Sequence, residues 1–179
     1  MYSHNYVFLP GVFLFLLLFS NCLCYADNEA DRTIITDEIK LNIPQRDTIR
    51  ITKVPRGIIL SIAQQEFFED NSTVISRNGK SLLKEIARLL DSFNNNCTIE
   101  AHTEEHYLTN GLISDCDWEY SIIRANRIAE YLVKNNGIKS SRLFPIGFGY
   151  IMPFKDNVSE NNFYNNRIDF VIFDYTAIR

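Results

Sequence analysis

The sequence predicts an α+β sandwich, ordered βαβαββ after a leading strand, with one sheet covered by helices. Two segments carry apolar residues at spacings of three and four, the period of a helix with one buried face. Short alternating or wholly apolar runs, bounded by turn residues, stand before, between and after them.

Taken in order, Thr48 to Val54 alternates as a half-buried strand does, Pro55-Arg56-Gly57 is a turn, and Ile58 to Ile62 is a more buried strand. Phe67-Phe68 reads as core and precedes a polar turn from Glu69 to Ser72. Leu82, Leu83, Ile86, Leu89, Leu90 and Phe93 form the stripe of a helix starting near Asn78, and Asn94-Asn95-Asn96 ends it. Thr98 to His102 is a short strand, and Glu104 to Cys116 has the aperiodic character of a loop. Asp117 is an expected N-cap, with Ile122, Ala125, Ala129, Leu132 and Val133 on the core face of the helix that follows. Gly137 stops that helix. Leu143 to Tyr150 and Ile168 to Phe173 supply the closing strands.

A length of 179 residues fits one ordinary domain plus a tail. The chain is 46% hydrophobic and 22% charged, a composition that sustains a core. A net charge of −4 and no long basic run exclude a nucleic-acid footprint. Residues 1–26 contain no Asp, Glu, Lys or Arg, and Val12 to Phe19 is unbroken hydrocarbon, shorter than the ~20 residues of a membrane span. With Cys24-Tyr25-Ala26 behind it, the segment reads as a secretory signal cleaved after Ala26, an uncleaved signal anchor being the alternative. Residues 27–47 read as a polar lead-in or linker without a clear period, and 48–179 as the domain. Export leaves Cys97 and Cys116, whose expected positions put their Cα atoms beyond the ~7 Å reach of a disulfide.

One constellation carries chemistry. A strand ends in Glu104, and a helix begins near Asp117 with Arg124 seven positions on, on the same helical face. Amide N–H groups at a helix start attract an anion, and a guanidinium grips a carboxylate with two parallel bonds. With Glu104 accepting from an ammonium group, the set is a receptor for a zwitterion.

The same residues carry a resemblance. Ala101-His102-Thr103-Glu104, Asp117-Trp118-Glu119-Tyr120-Ser121-Ile122-Ile123-Arg124-Ala125, Gly147-Phe148-Gly149 and Asn165-Asn166-Arg167-Ile168-Asp169 fall in the order and register of the OmpA-like domain family. The long loop and Trp118 make the chain most similar to the MotB-type periplasmic domains. The resemblance, covering Thr48 to Tyr175, implies non-covalent binding of the diaminopimelate stem peptide of peptidoglycan. It implies Glu104 and Arg124 as the principal contacts, with Thr103, Asp117 and Arg167 beside them. Glu for Asp at 104, Ala for Gly at 101 and Asp for Asn at 117 depart from the family's pattern.

On this reading the protein is a periplasmic wall anchor, associated with the cell wall or outer membrane, with no cofactor, no metal and no enzymatic activity. The nucleophile set within reach, Cys116 with His102 or His106 and Asp117, lacks supporting spacing. His102 and His106 share no helix face for a metal, and His102 reads instead as a packing residue at a strand end. Trp118 is expected to be a core anchor at the helix start. A subunit of a secretion or other envelope complex is the alternative partner assignment. A flagellar stator subunit lacks the acidic residue that an ion-conducting apolar segment needs. The oligomeric state is not legible.

Overall fold

The computed structural model describes residues 29–69, 72–103, 116–154 and 165–176. The cleavage site expected after Ala26 and the loop carrying Glu104 lie outside them. Helix α1 spans 29–42. There follow β1 (Ile49–Val54), β2 (Gly57–Ala63), α2 (Arg77–Ser92), β3 (Asn95–His102), α3 (Cys116–Asn136), β4 (Leu143–Gly149) and β5 (Arg167–Thr176). None of the described helices is long and apolar enough to cross a membrane.

The sheet runs β1-β2-β5-β3-β4, antiparallel except for β3 beside β4. Parallel neighbours need a long crossover, and α3 supplies it. Strand β5 is last in the chain but central in the sheet. Its Ile168, Phe170 and Ile172 face the helices and are excluded from solvent, with Ile58, Leu60 and Ile62 of β2 and Ile99 of β3 in the same core.

Helix α2 behaves as its spacing predicts, with Leu82, Leu83, Ile86, Leu89 and Leu90 buried. It starts one residue after Ser76, whose hydroxyl accepts from the Gly79 amide at 3.0 Å as an N-cap. At its far end Arg142 donates to the carbonyls of Leu90, Phe93 and Asn95 at 2.6–2.8 Å, satisfying acceptors a helix terminus leaves open. Asn95 and Asn96 do more than end the helix. They begin β3, and the Asn95 amide donates to the Phe173 carbonyl at 2.6 Å.

Three expectations are corrected by packing. The lead-in read as aperiodic contains α1, because Ile35, Ile39 and Ile43 recur every four residues and all enter the core. An extended linker would leave those three isoleucines in water. Arg32, on the same helix, meets Asp174 of β5 at 2.6 Å with both side chains nearly buried, and donates to Pro55 O at 3.0 Å. Second, Ile122 is 40% exposed, and the buried stripe of α3 runs through Ser121, Ala125, Ile128, Ala129 and Leu132. Helix α3 lies so close to β4 that a Cβ on Gly147 would stand 2.5 Å from the Ile122 amide, which leaves Ile122 beside the strand rather than beneath it. Third, Trp118 is 53% exposed rather than core, its ring held by an indole N–H bond to Gly147 O at 3.0 Å. Gly137 stops α3 as expected, at φ +74°.

Cys97 is a free thiol on the core face of β3, and burial pushes its pKa far above the ordinary thiol range while Arg142 opposes the shift. It should therefore resist a thiol reagent in the native protein and react only on unfolding, as mass spectrometry with and without urea would show. Replacing Ile39 by Ala should lower the unfolding free energy by about 2–5 kcal/mol if α1 belongs to the core. Equal urea midpoints for the variant and the parent protein would refute that role.

Candidate functional site

Six termini meet at one end of the sheet. Strands β2, β3 and β4 finish there, β5 begins there, and α2 and α3 present their N-termini to it. Backbone bonds draw the ends together: the Gln64 amide donates to Asn166 O, and the Thr103 amide to Gly149 O, each at 2.9 Å. Ser121, buried on α3, accepts from the Gly149 amide at 3.0 Å and so fastens the helix start to the end of β4.

Arg124 is the chemical centre of the described residues at this end. It is only 5% exposed, so it is no solvated surface residue of the helix. Its Nε donates to Ser72 O at 2.9 Å and its Nη1 to Gln64 Oε1 at 2.8 Å. The guanidinium lies 5.6 Å from the Phe68 ring centre and 5.2 Å from that of Tyr120. Taking a cation out of water costs several kcal/mol, and these bonds and ring faces offset the cost while fixing the plane of the fork.

The other expected site residues are placed unequally. Thr103 is buried directly after β3, at the same end as Arg124. Asp117 lies in the first turn of α3 rather than ahead of it as an N-cap, since the helix already includes Cys116. Arg167 belongs to the same end but to the other face of the sheet. Strand alternation puts it with Asp169, opposite the helix-facing Ile168 and Phe170. There its Nε donates to Asp169 Oδ2 at 2.9 Å, its Nη2 to Met152 O at 3.3 Å, and its guanidinium covers the Phe154 ring at 5.4 Å. Glu104 lies outside the described residues.

His102 is buried and stacked on Phe148, with ring centres 5.1 Å apart and planes within 9°. This agrees with its reading as a strand-end packing residue. Its Nε2 is 3.3 Å from Asp169 Oδ2. Burial works to raise the Asp169 carboxyl, but the His102 ring, the Arg167 guanidinium and the Ser61 hydroxyl outweigh it and hold the group below the usual carboxylate range.

Gln64, Phe68, Ser72 and Tyr120 were not legible as functional positions. Phe68 and Tyr120 carry the only signal of the four, as aromatic residues that can cover a cation. Gln64 precedes the Phe67-Phe68 pair without any spacing that points to α3. It meets Arg124 across 60 positions of chain.

A five-stranded mixed sheet of this order, with an arginine fixed where strand ends meet helix starts, defines an α+β module. The OmpA family model matches residues 67–167, more than half of the chain, and the chain belongs to the OmpA family. Among solved structures, a putative MotB like protein from Desulfovibrio vulgaris superposes with TM-score 0.71 at 19% identity, over 83% of this chain and 95% of that one. The periplasmic domain of Helicobacter pylori MotB gives 0.60 at 21% identity over 73% and 83%. The cell wall anchor of the T6SS from Pseudomonas aeruginosa gives 0.60 at 20% over 78% and 93%. These likenesses establish a shared fold. A curated relative, the uncharacterized protein YtxE of Bacillus subtilis (strain 168), is 28% identical over 118 residues, 65% of this chain. The match takes in 48% of that relative, so the chain spans about half of its length.

The Asp169 environment sets an acid limit. A carboxyl depressed in the folded state contributes stability in full above its unfolded pKa of about 3.9 and loses it as pH falls through the lower folded value. Denaturant unfolding between pH 7 and pH 2.5 should therefore fall more steeply at the acid end for the parent protein than for Asp169→Asn. Parallel curves would show that the Arg167 and His102 contacts do not hold the carboxylate.

Proposed function

We propose that the chain is a non-covalent peptidoglycan-binding module of the cell envelope, exported to the periplasm and anchoring an envelope protein or assembly to the wall. The fixed guanidinium of Arg124 is the observation that carries this reading. A bacterial wall offers repeated zwitterionic head groups on the diaminopimelate side chains of its stem peptides. Arg124 meets the carboxylate of such a head group, and Glu104, next in sequence after Thr103, meets its ammonium group. Thr103 borders the same end, and Asp117 tunes the potential there from the first turn of α3. Its extra carboxylate opposes an anionic guest, and so lowers affinity below that of a site with an amide in its place. Arg167 contributes from behind the sheet, by ordering the start of β5.

Membership of the OmpA family supports wall binding, since that family is one of binding domains rather than enzymes. The fold shared with a T6SS cell wall anchor supports attachment of the module to a larger envelope assembly. Nothing in the geometry of the described residues calls for a reaction. Two charge pairs in a partly desolvated cleft supply affinity, and release needs only their separation.

Co-sedimentation with purified sacculi tests the proposal. Arg124→Ala should reduce the bound fraction at least tenfold, about the loss expected for a charge-assisted hydrogen bond worth ~1.5–3 kcal/mol. Arg124→Lys, which keeps the charge and loses the fork, should fall between, with circular dichroism showing that each variant is folded. Pelleting of Arg124→Ala and Glu104→Ala to the parent's extent would remove the site assignment.

A further inference from the structure

We propose that Glu100, His102 and Asp169 form a site for one divalent first-row transition ion of the zinc class, on the sheet face turned away from the helices. Glu100 on β3 and Asp169 on β5 are direct partners across the antiparallel ladder, and His102 follows two positions along β3 on the same face. One ligand atom from each lies within 4.8 Å of the other two, and all three residues are more than nine-tenths buried. Like charges placed directly opposite one another on adjacent strands destabilise a sheet. Two buried carboxylates in that position need positive charge, of which Arg167 beside Asp169 and Arg56 near Glu100 supply part.

His102 points to the same conclusion independently. Its ring is held flat on Phe148, with Nε2 aimed at Asp169 Oδ2 at 3.3 Å, yet without hydrogen-bond geometry. Neither ring nitrogen has a hydrogen-bond partner among the described residues, nor has Asp169 Oδ1. Buried polar atoms are ordinarily paired, and His102 ring nitrogens and an Asp169 oxygen that make no hydrogen bond are donor atoms open to an ion.

The cations already present leave room for the ion. Arg167 takes Asp169 Oδ2, leaving Oδ1 for the metal. On Glu100, the Thr98 hydroxyl donates to Oε1 at 2.9 Å, and the half-exposed Arg56 stands 3.7 Å from that same oxygen. A tetrahedral zinc ion with bonds of ~2.0–2.2 Å needs donors roughly 3.3 Å apart. The three ligand atoms lie within 4.8 Å of one another, and side-chain rotation brings them to that spacing. One nitrogen and two oxygen donors suit zinc, cobalt or nickel better than calcium or magnesium. The ion would tie the end of β3 to the start of β5, and water would complete its coordination. The set draws on two strands far apart in the chain, so no sequence spacing announces it.

The test uses the full chain stripped with chelator and titrated with zinc and with cobalt(II). The sequence contains three histidines, so His4→Gln with His106→Gln leaves His102 as the one imidazole. That double variant should bind one equivalent of cobalt(II), with a paramagnetically shifted imidazole N–H resonance in its NMR spectrum. Zinc should raise its melting temperature. His102→Gln should weaken binding at least tenfold. Absence of binding by the parent protein, cobalt bound without an imidazole signal in the double variant, or equal affinity in folded His102→Gln would each overturn the site. Should His102→Gln fail to fold, the imidazole signal of the double variant decides alone. None of these readouts depends on wall binding, so the metal site and the wall-anchor reading stand or fall separately.

Discussion

The structure depends on the burial of β5 between β2 and β3. A strand that is last in the chain and central in the sheet must satisfy two neighbours and two faces at once. Its period of two resolves the conflict. Ile168, Phe170 and Ile172 go to the helices, each burying an apolar side chain worth roughly 1.5–3 kcal/mol, and Arg167 and Asp169 go to the other face. Every feature of the end where Arg124 sits inherits that division. Gln64, held by its amide to Asn166 just ahead of β5, reaches Arg124 on the helix side. His102 and Glu100 meet Asp169 on the reverse. A slip of one residue in β5 would exchange the two faces, placing a carboxylate and a guanidinium in the core.

How much of this was legible follows from the range of each interaction. The stripes of α2 and α3 and the alternation of β1 are local patterns, and they were read nearly to the residue. Helix α1 shows where a local pattern is too thin to read. Three isoleucines at four-residue spacing are ambiguous among polar neighbours, and only contact with the core and the Arg32–Asp174 pair makes them helical. Trp118 and Ile122 were misread because the sequence does not report how closely α3 approaches β4. That approach is set by the missing side chain of Gly147, 29 positions from Trp118. The central place of β5 was not legible at all, since nothing local states which strands become neighbours.

The site divides in the same way. Arg124 was picked out as a candidate through its motif and its place relative to the helix start. The residues holding it were not, because Gln64 and Ser72 reach it across 60 and 52 positions of chain. Their contribution is physical rather than chemical. An arginine in water samples many rotamers, and ordering it on binding costs about 2 kcal/mol of side-chain entropy. Bonds from Nε and Nη1, with Phe68 and Tyr120 on the faces, meet that cost during folding. On the proposed reading, a ligand meets a guanidinium whose orientation is already chosen, the general route by which preorganisation improves affinity.

The path of α1 relates this end to the rest of the chain. Glu29, at the start of the described residues, is paired with Lys53 beside the β1–β2 turn, at the end of the sheet opposite Arg124. Thirteen residues later the helix finishes, and Arg46 pairs with Glu66, near the end where Arg124 sits. At 1.5 Å per residue the helix spans ~20 Å, about the length of the strands it lies along. Helix α1 therefore begins at the pole away from Arg124. Because α1 is fastened by Ile35, Ile39 and Ile43 and by the buried Arg32–Asp174 pair, that polarity is part of the fold and not an accident of a loose tether.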